Sequence, residues 1–225
     1  GEGVCGKRCV RIQADLKKNT GGGLTKWFKS AGTVYVRFYT RFDEKSDYIH
    51  HFVTLRANKS LQGGERWSGF GGAGLLPKGD ARFSTALEPW GNWGKNKPPG
   101  KWNFYSYWHE MKAAPDGKYW GNQFIAAGQP EIKKGVWICA EFMLKHNTPG
   151  KKNGEQACWI DGRLVGEAGK HHVIEPGDLL LDGTHDCGVT VAVDARPPRG
   201  DAIEDRPIFG VVEVASTRPR HGNRR

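Results

Sequence analysis

Alternation of apolar and polar residues with a period of two is the feature that most constrains the fold of this chain. In residues 136–146 the apolar positions are Val136, Ile138, Ala140, Phe142 and Leu144. Such alternation is typical of a strand with one face on a core and the other toward water. No stretch shows helical periodicity beyond a turn or two, and 32 glycines and 12 prolines indicate long loops. The sequence therefore predicts an all-β, antiparallel β-sandwich or jelly roll with long loops.

The alternating runs cover most of the chain, and no linker divides it. We predict strands at residues 8–14, 33–42, 47–57, 81–88, 102–111, 136–146, 156–161, 164–168, 188–195 and 207–217. All-β sandwiches often reach 225 residues as one domain, which is enough chain to bury a core. We therefore expect a single domain over residues 1–217, followed by a basic, flexible tail at 218–225.

A formal net charge of +10 at pH 7 favours an acidic partner. Nucleic acid, anionic polysaccharide and anionic lipid all respond to such a charge, and a basic protein with no such partner is the plain alternative. The chain has no run of about twenty apolar residues, so it is not predicted to span a membrane. It also lacks a recognised nucleic-acid motif, which makes nucleic acid a weaker candidate than an acidic glycan.

The cysteines lie at Cys5, Cys9, Cys139, Cys158 and Cys187, without the spacing of zinc ligands. We predict neither a metal ion nor another cofactor. One interpretation of the cysteines is a disulfide between Cys5 and Cys9 and another between Cys139 and Cys158, with Cys187 left over. The other interpretation is a set of buried free thiols.

Two runs place hydrogen-bonding side chains on one face of a strand. In Trp102–His109 the alternate positions are Asn103, Tyr105, Tyr107 and His109, which share one side if the run is extended. In residues 33–42 the corresponding positions are Tyr35, Arg37, Tyr39 and Arg41. Together they predict a sheet face for a polar, anionic ligand, with the opposite face on the core.

Several short motifs resemble those of the concanavalin A-like jelly rolls, and in particular polysaccharide lyase family fourteen. The sequence His146-Asn-Thr-Pro-Gly150 followed by Cys158-Trp-Ile-Asp-Gly162 is similar to that family's strand–turn–strand signature. Upstream, a Gly-Leu-Pro-rich loop at 71–78, Phe83-Ser-Thr-Ala-Leu87 and Tyr105-Ser-Tyr107 occur in the family's order. Pro-Gly and Asp-Gly pairs suit the tight turns that this fold needs.

Two positions depart from the family's pattern. Lys78 follows the Leu-Leu-Pro of the loop instead of preceding it, so the family's loop lysine has no clear counterpart. Ala86 stands where the family has an arginine after the Phe-Ser pair. The resemblance therefore implies the fold more safely than the activity.

The resemblance implies cleavage of a uronic-acid polysaccharide by β-elimination. That reaction needs positive charge or hydrogen-bond donors at the uronate carboxylate, a base for the C5 proton and an acid for the departing O4. We predict Tyr107 or His109 as the base and Tyr105 or Tyr107 as the acid. Arg37, Arg41 and Arg82 are candidates for the carboxylate, with Asn103 as a neutral donor. For substrate binding we predict Tyr39, Arg41, His50, Arg82, Ser84, Trp90, Trp93, Asn103 and Lys145.

The leading hypothesis is thus a monomeric lyase acting on an acidic polysaccharide, exported to the periplasm or the cell exterior. The alternative is a non-catalytic carbohydrate-binding or lectin-like module that uses the same face. A hydrolase ranks third, because the close pair of carboxylates that hydrolysis needs is absent from the sequence. Every site residue also has a structural interpretation, since tyrosines on strands often only pack and exposed arginines are often only solvated.

Overall fold

The computed structural model describes residues 9–14, 21–29, 31–49, 51–58, 72–78, 82–124, 129–148, 153–167, 186–194 and 208–214. These residues form the strands β1 (Val10–Ala14), β2 (Gly21–Lys29), β3 (Thr33–Phe42), β4 (Val53–Asn58), β5 (Arg82–Trp90), β6 (Lys101–Tyr107), β7 (Asn122–Phe124), β8 (Ile138–Lys145), β9 (Glu155–Ile160), β10 (Arg163–Glu167), β11 (Asp186–Asp194) and β12 (Ile208–Val214). In this part of the chain no helix has the length and apolar character needed to cross a membrane.

The strands form two antiparallel sheets of six strands each. Sheet A has the order β1-β12-β3-β8-β9-β10, and sheet B has the order β2-β11-β4-β5-β6-β7. The chain is therefore an antiparallel β-sandwich of the jelly-roll type, as the alternation predicted.

The core lies between the inner faces of the two sheets and is rich in aromatic rings. Phe142 of sheet A and Phe104 of sheet B meet edge to face with ring centroids 6.2 Å apart. Phe42 of sheet A contacts Phe52 at 5.3 Å and Trp102 at 6.1 Å. Each such ring stabilises the fold by roughly 1.5–3 kcal/mol through burial. Because the inner faces are committed to this core, the outer faces of the sheets point in opposite directions.

The predicted strands agree with the observed ones where alternation is strong. β3 spans the predicted 33–42, and in β8 the residues Ile138, Ala140, Phe142 and Leu144 are buried as expected. Val136, predicted to belong to this apolar face, lies before the strand and is exposed. The predicted Asp-Gly turn is confirmed, since Asp161 and Gly162 have φ values of 51° and 76° between β9 and β10, as a tight hairpin requires.

Two strands were missed, and one was placed too early. β2 begins with Gly21-Gly-Gly, which suggests a loop, and its strand conformation comes from pairing with β11 over nine residues. β7 has only three residues, too few to show alternation. The run predicted at 47–57 becomes a strand only at Val53, because residues before it take an irregular path in which His51 has a φ of 63°.

The predicted disulfide between Cys139 and Cys158 is wrong, and both residues are free thiols. Their strands are neighbours, but Cys158 pairs with Phe142 and faces the core, whereas Cys139 lies on the opposite face of β8. Burial raises the pKa of the Cys158 thiol to about 12. Cys5 and the side chain of Cys187 lie outside the described residues, so the other pairing stays a prediction.

Candidate functional site

The outer face of sheet B collects polar and charged side chains from neighbouring strands. Phe83, Leu87, Trp102 and Phe104 belong to the core, so the alternate positions of β5 and β6 point outward. Residues that pair directly across two strands share a face. Between β5 and β6 the pairs are Ser84 with Tyr107, Ala86 with Tyr105, and Glu88 with Asn103. Between β4 and β5, Arg56 pairs with Ser84. We call this surface the polar face; its members are Arg56, Arg82, Ser84, Glu88, Asn103, Tyr105 and Tyr107.

Asn103 lies at the floor of the polar face with unused hydrogen-bonding capacity. Its side chain is 3% exposed, and among the described residues neither Oδ1 nor Nδ2 has a hydrogen-bond partner. A buried polar group left in this state costs about 1–3 kcal/mol. Native proteins rarely retain such a group without a reason, and a bound ligand that accepts from the amide would supply one.

Tyr105 and Tyr107 form a hydrogen-bonded pair beside Asn103. Their hydroxyl oxygens are 3.3 Å apart, and the Gly121 N–H donates to the Tyr105 oxygen at 2.8 Å. Burial raises the pKa of Tyr105 well above its usual range, and Tyr107 and Glu88 reinforce that shift. Tyr105 therefore stays protonated, and it can donate its proton toward Tyr107 or a ligand.

Gly121 is required where the loop before β7 crosses the Tyr105 ring. A Cβ atom at this position would overlap the ring, so only glycine allows the backbone N–H to approach the hydroxyl closely. The loop thereby fixes the position of Tyr105, as a proton-donating group needs.

His51 joins the polar face, although the sequence pointed to its neighbour His50. The His51 Nδ1 atom lies 3.3 Å from Oε2 of the buried Glu88, and its ring is 5.8 Å from that of Tyr105. Its φ of 63° is strained for a non-glycine residue, a condition that costs about 1–3 kcal/mol and clusters at functional sites. His50 lies outside the described residues. The local sequence gives no signal of the left-handed backbone conformation at His51.

Two arginines of the polar face are partly buried. Burial lowers the pKa of Arg56 to about 9, which still leaves its guanidinium cationic at neutral pH. Burial also lowers the pKa of Arg82, and the nearby Tyr107 partly offsets this effect. A poorly hydrated cation is stabilised more by an anionic ligand than a fully hydrated cation is. The sequence predicts Arg82 as a site residue but not Arg56, because the place of Arg56 depends on the register between β4 and β5.

The polar residues of β3 lie elsewhere, on the outer face of sheet A. Arg37 pairs with Glu141 of β8 at 2.5 Å, and the Arg41 guanidinium carbon lies 5.3 Å from the ring centre of Trp137. Tyr39 faces the same way. The expectation that these residues share a surface with Tyr107 is wrong, because the core of the sandwich separates them. Lys145 is likewise on sheet A and pairs with Glu155.

We therefore expect Arg37→Ala to leave function intact. The Arg37–Glu141 pair is largely exposed, and such pairs contribute roughly 0–1 kcal/mol. Thermal unfolding should change by no more than that amount, and any activity or glycan binding should equal that of the wild type. A loss of activity without a loss of stability would contradict the assignment of the site to sheet B.

The remaining predicted residues lie at the two ends of the polar face. His109 follows the end of β6, and its Nε2 is 3.7 Å from Oε1 of Glu110. Trp90 ends β5, and its ring meets that of Trp93 at 6.1 Å. Trp102 is 2% exposed and Trp108 packs against the core. In the ranges that the structure describes, no group of three or more His, Cys, Asp or Glu is placed to hold a metal ion.

The fold is similar to that of several alginate lyases of known structure. Alginate lyase Aly36B gives a TM-score of 0.55 with 15% identity, covering 92% of this chain and 78% of that one. A double mutant of that enzyme, in complex with an alginate tetrasaccharide, gives 0.54 with 16% identity, covering 94% and 82%.

Two further alginate lyases are similar. The PL-14 enzyme from the marine Aplysia kurodai gives 0.56 with 12% identity, covering 83% and 69%. The enzyme vAL-1 from Chlorella virus gives 0.50 with 14% identity, covering 85% and 86%. The sequence matches no protein-family model and no curated protein. At these identities the similarity shows a common lyase-like jelly-roll fold.

Proposed function

We propose that this protein is a polysaccharide lyase that cleaves an acidic, uronic-acid-containing polysaccharide by β-elimination. The observation that carries the proposal is the buried Asn103 amide, which has no protein partner among the described residues and lies opposite Glu88, on the same strand face as Tyr105 and Tyr107. The similarity of the fold to alginate lyases is consistent with it. Export to the periplasm or the cell exterior is part of the proposal, since such a polymer is encountered there.

In this proposal Asn103 binds the uronate carboxylate, and Arg56 adds positive charge elsewhere on the polar face. The Asn103 amide donates to a carboxylate oxygen, where charge develops as C5 loses its proton. Hydrogen-bond donors that are in position before the reaction stabilise this charge without having to reorganise. Such preorganisation is usually the largest part of electrostatic catalysis. Arg56 of β4 pairs with Ser84 and therefore lies diagonally across from Ala86, the position at which the resembled family has an arginine.

Tyr107 and Tyr105 carry the proton transfers. Tyr107 removes the C5 proton; the electron pair forms the C4–C5 double bond, and the C4–O4 bond breaks. O4 takes a proton from the tyrosine pair, whose hydroxyls are 3.3 Å apart. The Tyr105 hydroxyl lies within hydrogen-bonding distance of the Tyr107 oxygen, and the cationic Arg82 is near the same side chain.

Ultraviolet absorbance tests the proposal directly. β-Elimination creates a conjugated, unsaturated uronate, which neither hydrolysis nor binding produces. On a panel of alginate, glucuronan, pectate and glycosaminoglycans, we expect the absorbance to rise with a polyuronate and to fix the substrate class. A flat trace with every polymer would contradict lyase activity on these substrates.

The second candidate function is a carbohydrate-binding module without catalysis. Ala86 favours it, because the resembled lyases have an arginine at this position on the strand itself. Retention on one immobilised acidic glycan together with a flat absorbance trace would select this function.

A further inference from the structure

We propose that Trp90 and Trp93 form an aromatic subsite that stacks on a sugar ring of the bound acidic polysaccharide, at a distance from the reacting bond. This inference rests on the proposed binding of a polysaccharide to the polar face. It assigns an occupant to an aromatic pair outside the core cluster, the half-buried Trp90 and the exposed Trp93, and it gives a direction to the polymer.

The pair lies at one end of the polar face. Trp90 shares the outward parity of Glu88 and is paired with Lys101, two residues from Asn103 on β6. Ala86, the partner of Tyr105, lies four positions earlier on β5, or roughly 13 Å at the usual rise of a strand. A chain bound at Tyr105 and Tyr107 would therefore reach the tryptophans with a sugar unit other than the one that reacts.

The loop holds Trp93 outward at a conformational cost. Trp93 is 68% exposed, and its φ of 51° follows a φ of 49° at Asn92. Such values are unfavourable for residues with a side chain. Burial in the core does not compensate for this strain, because the indole is in water. The loop thus holds the indole where a ligand can cover it.

Hydrogen bonds fix the loop in this conformation. The Asn96 N–H donates to the Gly91 carbonyl at 3.0 Å, and the Asn96 side chain donates to the Trp90 carbonyl at 2.8 Å. The Tyr48 hydroxyl donates to the Asn96 carbonyl at 2.7 Å. An aromatic platform that is already ordered loses little entropy when it binds a ligand.

The surroundings of the pair indicate an anionic occupant. Lys95 and Lys97 are exposed in the same loop, and the half-buried Lys101 faces Trp90 across the strands. Lysines attract carboxylates along the polymer, while the indole rings offer apolar surface to the face of a pyranose ring. An acidic sugar chain meets both requirements, whereas a neutral one meets only the second.

The opposite end of the polar face is bridged by two loops. Gly74 and Tyr119 exchange backbone hydrogen bonds of 2.9 and 3.1 Å. One of these loops packs on Arg82 through Gly72, and the other contacts Tyr105 through Gly121. The bridge lies at the Arg82 and Tyr107 end, so the polymer extends toward Trp90 and Trp93.

The test compares chain lengths in Trp93→Ala and in a control, Trp137→Ala, whose indole lies beside Arg41 on sheet A. For each variant, the kcat/KM for long oligosaccharides is divided by the kcat/KM for short ones. We expect Trp93→Ala to lower this ratio by about threefold to tenfold, which is the effect on affinity of losing one aromatic contact. Trp93→Phe should recover part of the loss. Trp137→Ala should leave the ratio unchanged.

The same variants in a Tyr107→Phe background give a readout that does not need catalysis. Titration with the longest oligosaccharide should change the tryptophan fluorescence, with a three- to tenfold weaker Kd when Trp93 is replaced. If the wild type is not a lyase but still binds in this way, the subsite stands and the proposed reaction fails. If cleavage occurs but neither the ratio nor the Kd changes, the subsite is wrong. Absence of any binding overturns both proposals.

Discussion

Replacing Tyr107 by phenylalanine is expected to lower turnover by about 10²–10⁴-fold, the usual contribution of a positioned acid–base group. The substitution removes only the hydroxyl that lies 3.3 Å from that of Tyr105 and keeps the ring that packs edge to face on its neighbour. Stability should change little, because the site is half-buried and the ring is retained. Initial rates from ultraviolet absorbance and a Kd from titration measure the two effects separately.

A matched control is Tyr35→Phe. Tyr35 is on the outer face of sheet A and 74% exposed, so losing its hydroxyl should affect neither rate nor affinity. Turnover within a few-fold of the wild type in Tyr107→Phe would remove Tyr107 from the reaction. It would direct attention to His51, which Glu88 orients beside Tyr105.

Replacing Asn103 by leucine is expected to change activity and stability in opposite directions. The amide has no partner among the described residues, and exchanging such a group for an apolar one of similar shape is neutral or stabilising, by up to about 1–3 kcal/mol. The same change removes a donor from the proposed carboxylate site, which should lower kcat about 10²–10³-fold. Thermal unfolding and lyase rates on the same preparations measure both quantities.

Asn153→Leu provides the comparison. The Asn153 amide accepts from the Thr148 N–H at 2.7 Å and donates to the Thr148 hydroxyl at 3.1 Å, between β8 and β9 of sheet A. Its replacement should lower stability slightly and leave activity unchanged. If Asn103→Leu instead lost stability and kept its activity, the amide would have a structural role, and the central observation for the proposed function would fail.

The sequence was sufficient wherever the determining interaction is local. Alternation located β3 and β8, because a period of two assigns each side chain to a face without reference to any other strand. It also placed Asn103, Tyr105 and Tyr107 on one face of β6, where the structure has them. The Asp161-Gly162 turn was predictable for the same reason, since its backbone conformation depends on the two residues themselves.

Only the tertiary structure decided which faces meet. Arg37 and Tyr107 both lie on polar strand faces, but the order of the strands places β3 and β6 in different sheets, with the core between them. Arg56 joins the site because β4 pairs with β5, and His51, which contacts Glu88, has a left-handed backbone conformation just before β4. Strand order and register depend on contacts between residues far apart in the chain, and period-two alternation carries no information about them. The sequence alone therefore determined the faces of single strands, while the pairing of distant strands determined the site.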